Sequence, residues 1–335
     1  QLKLAFVGCG GIAQAHWRGI QAVAPQIQVT ATIDINPERA QAMAEQTGGN
    51  PFTSLEEALV NGDFTAADIM LPHNMHEEET VAAFQAGKHV LLEKPMSTTL
   101  DSCDRIMAAA KQAGTVFAIA EQAQFWPDAV KVRDLVQDGA IGEVITARAY
   151  FGGRVGTGWG SKPWRYDETI TGGGIVIDGG SHTIRPLRMW FGEIEEVVAV
   201  TGHPLADMEG ESLARALFRF SSGLVVGFDA LRAGSFHGPG EEFRITGSQG
   251  ELVIEKGKSG RLMRYTREHP DGEVLIENKN EGRNMAFGYE LLDFQRAVLE
   301  GRPTETTIEY AMGELRTALA IYRSAESRQW EKVWS

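Results

Sequence analysis

The chain has 335 residues, 43% of them hydrophobic, which is enough for the cores of two ordinary domains. Its formal net charge of −13 at pH 7 argues against nucleic acid or an anionic membrane surface as a partner, since neither attracts an acidic protein. Cys9 and Cys103, the only cysteines, stand far apart without metal-ligand spacing, so a disulfide framework and a zinc site are both unexpected and reduced cytoplasm is the simplest compartment.

Gln1 stands where an initiator Met would be, which leaves a removed leader open. The apolar opening itself is too short and too glycine-broken for a signal peptide, and no run reaches transmembrane length. It reads as a strand near 2 to 8 that breaks into Gly8-Cys9-Gly10-Gly11-Ile12-Ala13 and feeds a helix from 11 to about 24. In this setting G-x-G-x-x-A is a dinucleotide-binding fingerprint. Gly8 allows the tight turn, Gly10 lets the backbone approach a pyrophosphate, and Ala13 brings helix and strand together. The N–H groups at the helix start, around Gly11 and Ile12, then hold the phosphates.

A second strand near 28 to 34 ends at Asp34, whose carboxylate can accept hydrogen bonds from ribose hydroxyls and would repel a 2′-phosphate. Ile35 and Asn36 add no positive charge, so NAD is the expected cofactor, with NADP as the alternative through Arg39. The alternation continues with helices from about 37 to 47 and 55 to 60, a strand at 66 to 71, a helix at 77 to 86, and a strand at 89 to 92. A helix at 101 to 113 and a strand near 116 to 120 follow. Alternation of this kind predicts a parallel sheet covered on both faces.

After about residue 122 the connections lengthen and strand-like runs appear at 143 to 151, 196 to 201, 214 to 220, 224 to 230 and 242 to 245, as in an antiparallel sheet of hairpins. Turns at 221 to 223 and 247 to 250 suit the reversals. The expected division is therefore 1–122 for the nucleotide and 123–335 for the substrate and self-association. Six of the seven tryptophans fall in the second part, where core packing accounts for most of them. The glycine-rich stretch 151 to 161, around Arg154 and Trp159, reads as a mobile loop on the substrate side. Helical spacing returns at 289 to 299 and 308 to 324.

Two constellations carry chemistry. Glu93-Lys94-Pro95 puts a lysine at the carboxyl end of a strand, where open α/β sheets bind ligands, and Pro95 suits a cis bond. A lone lysine is ordinarily a solvated cation; its place beside the expected cofactor cleft decides for function. Asp178 and His182, four apart after Gly172 to Gly174, would share a helix face, and a carboxylate there can tune an imidazole that exchanges a proton near neutral pH. Taken alone, such a spacing is more often a helix-start carboxylate with a packed histidine.

The ordered set of Gly8 to Ala13, Pro72 with His76, Glu93-Lys94-Pro95, Trp164-Arg165, Gly172 to Gly174 and Asp178 to His182 resembles the glucose-fructose oxidoreductase, inositol dehydrogenase and MocA family over most of the chain. The resemblance implies a Rossmann domain, a second α/β domain with a large, mostly antiparallel sheet, and a nicotinamide cofactor between them. It implies that Lys94 hydrogen-bonds the reacting oxygen, that His182 takes or returns its proton, and that Asp178 positions substrate and histidine. Hydride would pass between nicotinamide and a secondary alcohol or ketone of a sugar, cyclitol or related polyol. Pro72, His76, Glu93, Glu121, Trp164 and Arg165 would join the cofactor site, and Trp164, Arg165 and Arg154 the substrate site. A homodimer or homotetramer through the open face of the second sheet is also implied.

Two departures stand out: His73 replaces the family's usual asparagine, and Arg185 falls where many relatives carry aspartate. Arg185 and Arg188 either favour an acidic sugar or pair with the surplus acids, and pairing is the better expectation. Two other readings remain open at this point: a glycosidase that oxidises its sugar transiently with NAD, and a non-catalytic NAD-dependent sensor.

Overall fold

Six apolar runs form one parallel sheet: β1 (Leu2–Val7), β2 (Ile27–Ile33), β3 (Asn50–Phe52), β4 (Ala66–Ile69), β5 (His89–Glu93) and β6 (Phe117–Ala120), in the order β3-β2-β1-β4-β5-β6. The structure, a computed structural model, describes residues 1–154, 163–234, 240–257 and 260–335, the Arg154 side chain excepted. Helices α1 (Gly11–Val23), α2 (Pro37–Thr47), α3 (Leu55–Asn61), α4 (His76–Gln85) and α5 (Leu100–Ala113) connect the strands. Strand order reverses between the neighbours β1 and β4, the switch point at which doubly wound sheets bind ligands. Strand β3, absent from the sequence reading, is three residues with a proline on the sheet edge, where a missing N–H is tolerated.

Local chemistry fixes the ends of these elements. Gly8 turns β1 into α1 at φ +97°, with its ideal Cβ position only 2.5 Å from the Met70 carbonyl oxygen, so no other residue fits. Helix α2 starts on Asn36, whose side chain accepts from the amides of Glu38 and Arg39, with Pro37 at its first position.

The remaining elements build a second sheet. They are α6 (Pro127–Gln137), β7 (Val144–Arg154), α7 (Glu168–Thr171), α8 (Ser181–Phe191), β8 (Ile194–Gly202), β9 (Leu213–Phe220), β10 (Val225–Ala233), β11 (Glu241–Gly247), β12 (Gly250–Glu255), β13 (Leu262–Thr266) and β14 (Glu273–Ile276). Helices α9 (Lys279–Glu300) and α10 (Ile308–Ser327) and strand β15 (Glu331–Lys332) complete the chain. The nine strands run β14-β13-β12-β11-β7-β10-β9-β8-β15, antiparallel except for β7 beside β10. Alternation decides which face is covered: Ala214, Ala216, Phe218 and Phe220 of β9 are buried, as are Val226, Phe228 and Ala230 of β10, while Leu217 and Val225 face outward. Phe218 and Phe228 stack across the pair with centroids 5.0 Å apart.

The chain divides into two compact units, 1–122 with 284–312, and 123–283 with 313–335. Residues 284–312, which the sequence reading groups with the second part, thus belong to the first. Leu291 and Phe294 of α9 join its core with Leu4, Phe6 and Ile20.

Within that unit α9 meets α1 backbone to backbone. A Cβ on Gly19 would lie 2.5 Å from the Gly288 nitrogen, and one on Gly288 would lie 2.6 Å from the Gly19 oxygen and 2.3 Å from Val23 Cγ2. Because backbone cannot yield as a side chain does, Gly19→Ala should destabilise the fold by about 1–3 kcal/mol, read as a lower urea midpoint with an unchanged slope. An unchanged midpoint would show that the two helices do not touch here.

Candidate active site

The nucleotide end of the first unit is built from backbone. Helix α1 begins at Gly10 with no side-chain cap and no acidic residue in its first turn, so its leading N–H groups are not claimed by a side chain of their own helix. A Cβ on Gly10 would meet nothing within 4 Å, leaving room for a ligand to approach the turn. At the end of β2, Asp34 is held by two amides: Oδ2 accepts from Cys9 N at 3.0 Å and Oδ1 from Asn36 N at 2.9 Å. Each oxygen keeps lone-pair capacity for a further donor. These features fit a dinucleotide: phosphates at the helix start, ribose hydroxyls at Asp34. Arg39 is exposed on α2. Burial, and then the Asp34 carboxylate, push the Cys9 thiol up to about 12, which makes it inert.

Lys94 follows β5 and precedes a cis peptide to Pro95. Its backbone N–H donates to Glu93 Oε2 at 3.2 Å. Glu93 is buried, with its other oxygen 3.3 Å from His16 Nε2, so it turns inward instead of presenting a free carboxylate to a cofactor. His76 departs from the expected cofactor contact as well. It is fully buried, with Nδ1 2.8 Å from the Pro95 oxygen and Nε2 3.0 Å from the Leu71 oxygen, and burial lowers its pKa. A neutral ring has a single N–H and donates to one of these carbonyls, and the two contacts set it beside the Lys94-Pro95 turn. Pro72 precedes the short turn His73–Met75, in which His73 is buried, and Glu121 is buried just after β6.

In the second unit, Asp178 lies in a π-helical turn, Val176–Gly180, which runs into α8 with His182 as its second residue. The expectation of one continuous α-helical face is corrected accordingly: the wider π turn offsets the two side chains. Glu211 anchors this turn, accepting from Gly174 N at 2.7 Å, Val176 N at 2.8 Å and the Tyr322 hydroxyl at 3.1 Å. Two guanidinium groups grip Asp178, Arg165 Nη1 on Oδ1 and Arg232 Nη2 on Oδ2 at 3.2 Å. Arg165 also lies over the Trp164 ring, 4.5 Å from its centroid.

The His182 ring packs beside Trp126, centroids 6.2 Å apart, and Arg283 covers that indole at 3.7 Å. Arg283 is in turn paired with Asp128 and Glu242, and Lys279 also reaches Glu242. Burial alone would raise the Glu242 carboxyl; Arg283 and Lys279 outweigh it and bring it down to about 2. A buried network of ion pairs therefore backs the wall against which His182 rests.

Arg185 and Arg188 are consumed by pairing. Arg185 makes a bidentate pair with Glu314 at 2.9 and 2.8 Å, and Arg188 bridges Glu314 and Glu193. Neither guanidinium is left for an acidic substrate. Arg154 closes β7, so the stretch 151–154 is strand; its side chain and Trp159 lie outside the described residues. Sequence reasoning missed Arg232 and His16. Arg232 continues the inward register of Val226, Phe228 and Ala230, and a charge on a buried strand face was the available signal.

The model of the oxidoreductase family with an NAD-binding Rossmann fold matches residues 2–121, and that of the GFO/IDH/MocA C-terminal domain matches 129–253. The chain is 30% identical over 317 residues to 1,5-anhydro-D-fructose reductase of Ensifer adhaerens, covering 91% of each. It is 24% identical over 338 residues to myo-inositol 2-dehydrogenase of Thermotoga maritima, covering 99% of this chain and 98% of the relative. A solved levoglucosan dehydrogenase in complex with NADH and levoglucosan shares the fold with a TM-score of 0.86 at 21% identity, over 100% of both chains. With both of its halves matched in order, this chain belongs to the GFO/IDH/MocA family of oxidoreductases and carries that family's NAD-binding Rossmann domain.

Proposed function

We propose that the protein is an NAD-dependent dehydrogenase or reductase acting on a secondary alcohol or ketone of a sugar, cyclitol or related polyol. The observation that carries the cofactor choice is Asp34, pinned by two amides beside a helix start with no acidic side chain of its own. The substrate class is supported by relatives named for 1,5-anhydro-D-fructose and myo-inositol. Bound nicotinamide supplies the hydride acceptor, or the donor in the reverse direction.

The protein's own residues handle the oxygen and its proton. The Lys94 ammonium donates to the reacting oxygen and stabilises the charge that develops there. His182 holds the proton, and Asp178, oriented by Arg165 and Arg232, accepts from a neighbouring substrate hydroxyl. Trp164, Arg165 and Arg154 complete the substrate side; Pro72 and Gly8 to Ala13 complete the cofactor side.

The chain works as a homodimer or homotetramer in the cytoplasm. Ile145 on β7 and Val200 on β8, each 62% exposed, give the second sheet apolar positions for a second copy to cover. The buried thiols of Cys9 and Cys103 suit a reducing compartment. No helix among the described residues is long and apolar enough to cross a membrane.

A panel of sugars and polyols assayed with NAD and NADP separately should give turnover with NAD. Lys94→Met and His182→Ala should each retain NADH binding by fluorescence and lose at least about 10²-fold in kcat; turnover like the wild type in both would refute the assignment. Asp34→Ala should move the NAD-to-NADP ratio of kcat/KM toward NADP by about tenfold, or ~1.4 kcal/mol, and an unmoved ratio would remove Asp34 from the cofactor site.

A further inference from the structure

Behind Lys94, four elements of the first unit bring ionisable side chains into a space closed to solvent: His16 from α1, Asp68 from β4, Glu93 from β5 and Glu290 from α9. His16 and Asp68 are fully buried, Glu93 and Glu290 nearly so. His16 Nδ1 lies 2.7 Å from Asp68 Oδ2, and its Nε2 lies 3.3 Å from both Glu93 Oε1 and Glu290 Oε1. The second Glu93 oxygen accepts from the Lys94 backbone N–H at 3.2 Å. One carboxylate thus stands between an imidazole on α1, at ion-pair distance, and the peptide that carries Lys94.

Charge decides the state of the ring. Nδ1 must donate to Asp68, because an ionised carboxylate only accepts. Nε2 faces Glu93 Oε1 and Glu290 Oε1 in a dry space, where a second ring proton sets a cation against the Glu93 carboxylate. Burial opposes that proton, but Asp68, then Glu290 and Glu93, outweigh it and hold the His16 pKa well above the ordinary imidazole range. Burial also pushes Glu290 up to about 8, so at neutral pH it is protonated. The cluster then holds one cation and two anions instead of three unshielded carboxylates.

We propose that His16, as an imidazolium shared by Asp68, Glu93 and Glu290, is a positioning residue for Lys94, because it fixes the carboxylate that holds the Lys94 amide. His76 holds the following peptide from the other side, through the Pro95 oxygen. Two buried histidines thus flank the turn, His16 beside the carboxylate of Glu93 and His76 beside the Pro95 oxygen. The proposal rests on Lys94 acting at the reacting oxygen as set out above. As pH rises through 8, Glu290 gives up its proton beside Glu93 and the hold on the Lys94 amide loosens.

The test combines a readout without substrate and one with it. In protein labelled with 13C on the histidine ring, the His16 resonance, assigned by its loss in His16→Asn, should report a doubly protonated ring from pH 6 to 8. With the substrate found by the panel, His16→Asn keeps a donor toward Asp68 but loses Glu93, and kcat should fall roughly tenfold or more with NADH binding retained. Asp68→Asn keeps the ring in place but removes a charge that holds its proton. The alkaline limb of its kcat profile should move down by about one pH unit, which a purely structural residue would not do.

A neutral His16 ring at pH 7 overturns the proposal, whether or not the variants fold. So does a kcat profile like the wild type in Asp68→Asn and His16→Asn while Lys94→Met is inactive. One equivalent of divalent metal in the purified protein also overturns it, in favour of a cation held by His16, Glu93 and Glu290, whose donor atoms lie within 4.8 Å of one another. Full turnover in Lys94→Met instead sinks the active-site reading itself, and the histidine titration separates that failure from the others.

Discussion

Keeping ionised side chains out of water is the constraint on which both units depend. An unpaired buried charge costs several kcal/mol, and several buried charged groups among the described residues are set against partners of opposite sign. Asp178 is the central case: two guanidiniums, from the turn Pro163–Tyr166 and from β10, converge on its two oxygens. The pairing sets a cation against each oxygen of a buried carboxylate, and it fixes the direction in which the group can accept. Arg185 and Arg188 on Glu314, and Arg283 on Asp128 and Glu242, follow the same rule deeper in the unit. Each of these networks costs desolvation and returns orientation.

The nucleotide end solves a different problem with backbone alone. There the glycine turn and the uncapped start of α1 provide donors without side chains, and the Asp34 carboxylate is the sole acid used, itself pinned by amides. Preorganised amides change little when a ligand arrives, which is why such a site can be written in a few residues. That economy also explains why it was legible. The spacing from Gly8 to Ala13 and the distance to Asp34 are local, and so are the period-two and helical patterns that marked both sheets and most helices.

The rest was hidden because it depends on contacts distant in sequence. His16 is a polar residue on an otherwise apolar helix face, and its partners come from residues 68, 93 and 290. Arg232 reaches Asp178 across 54 positions. Strand β3 carries too little apolar surface to be read, and β13 and β14 are partly exposed strands whose pattern is weak. The π turn at Val176–Gly180 defeats spacing arguments outright, since they assume 3.6 residues per turn. Arg185 shows the converse: a cation that stands out in the sequence is accounted for by bidentate pairing with Glu314.

The chain passes between its two units three times, after residues 122, 283 and 312. A recombination experiment that exchanges the amino-terminal third for that of another protein would therefore leave behind Leu291 and Phe294, which fill the first unit's core, and Glu290, which closes its acid cluster. A working chimera has to transplant two segments joined by three seams. Whatever the second unit's pocket evolves to accept, the inserted stretch 284–312 travels with the nucleotide-binding body as its inseparable counterpart.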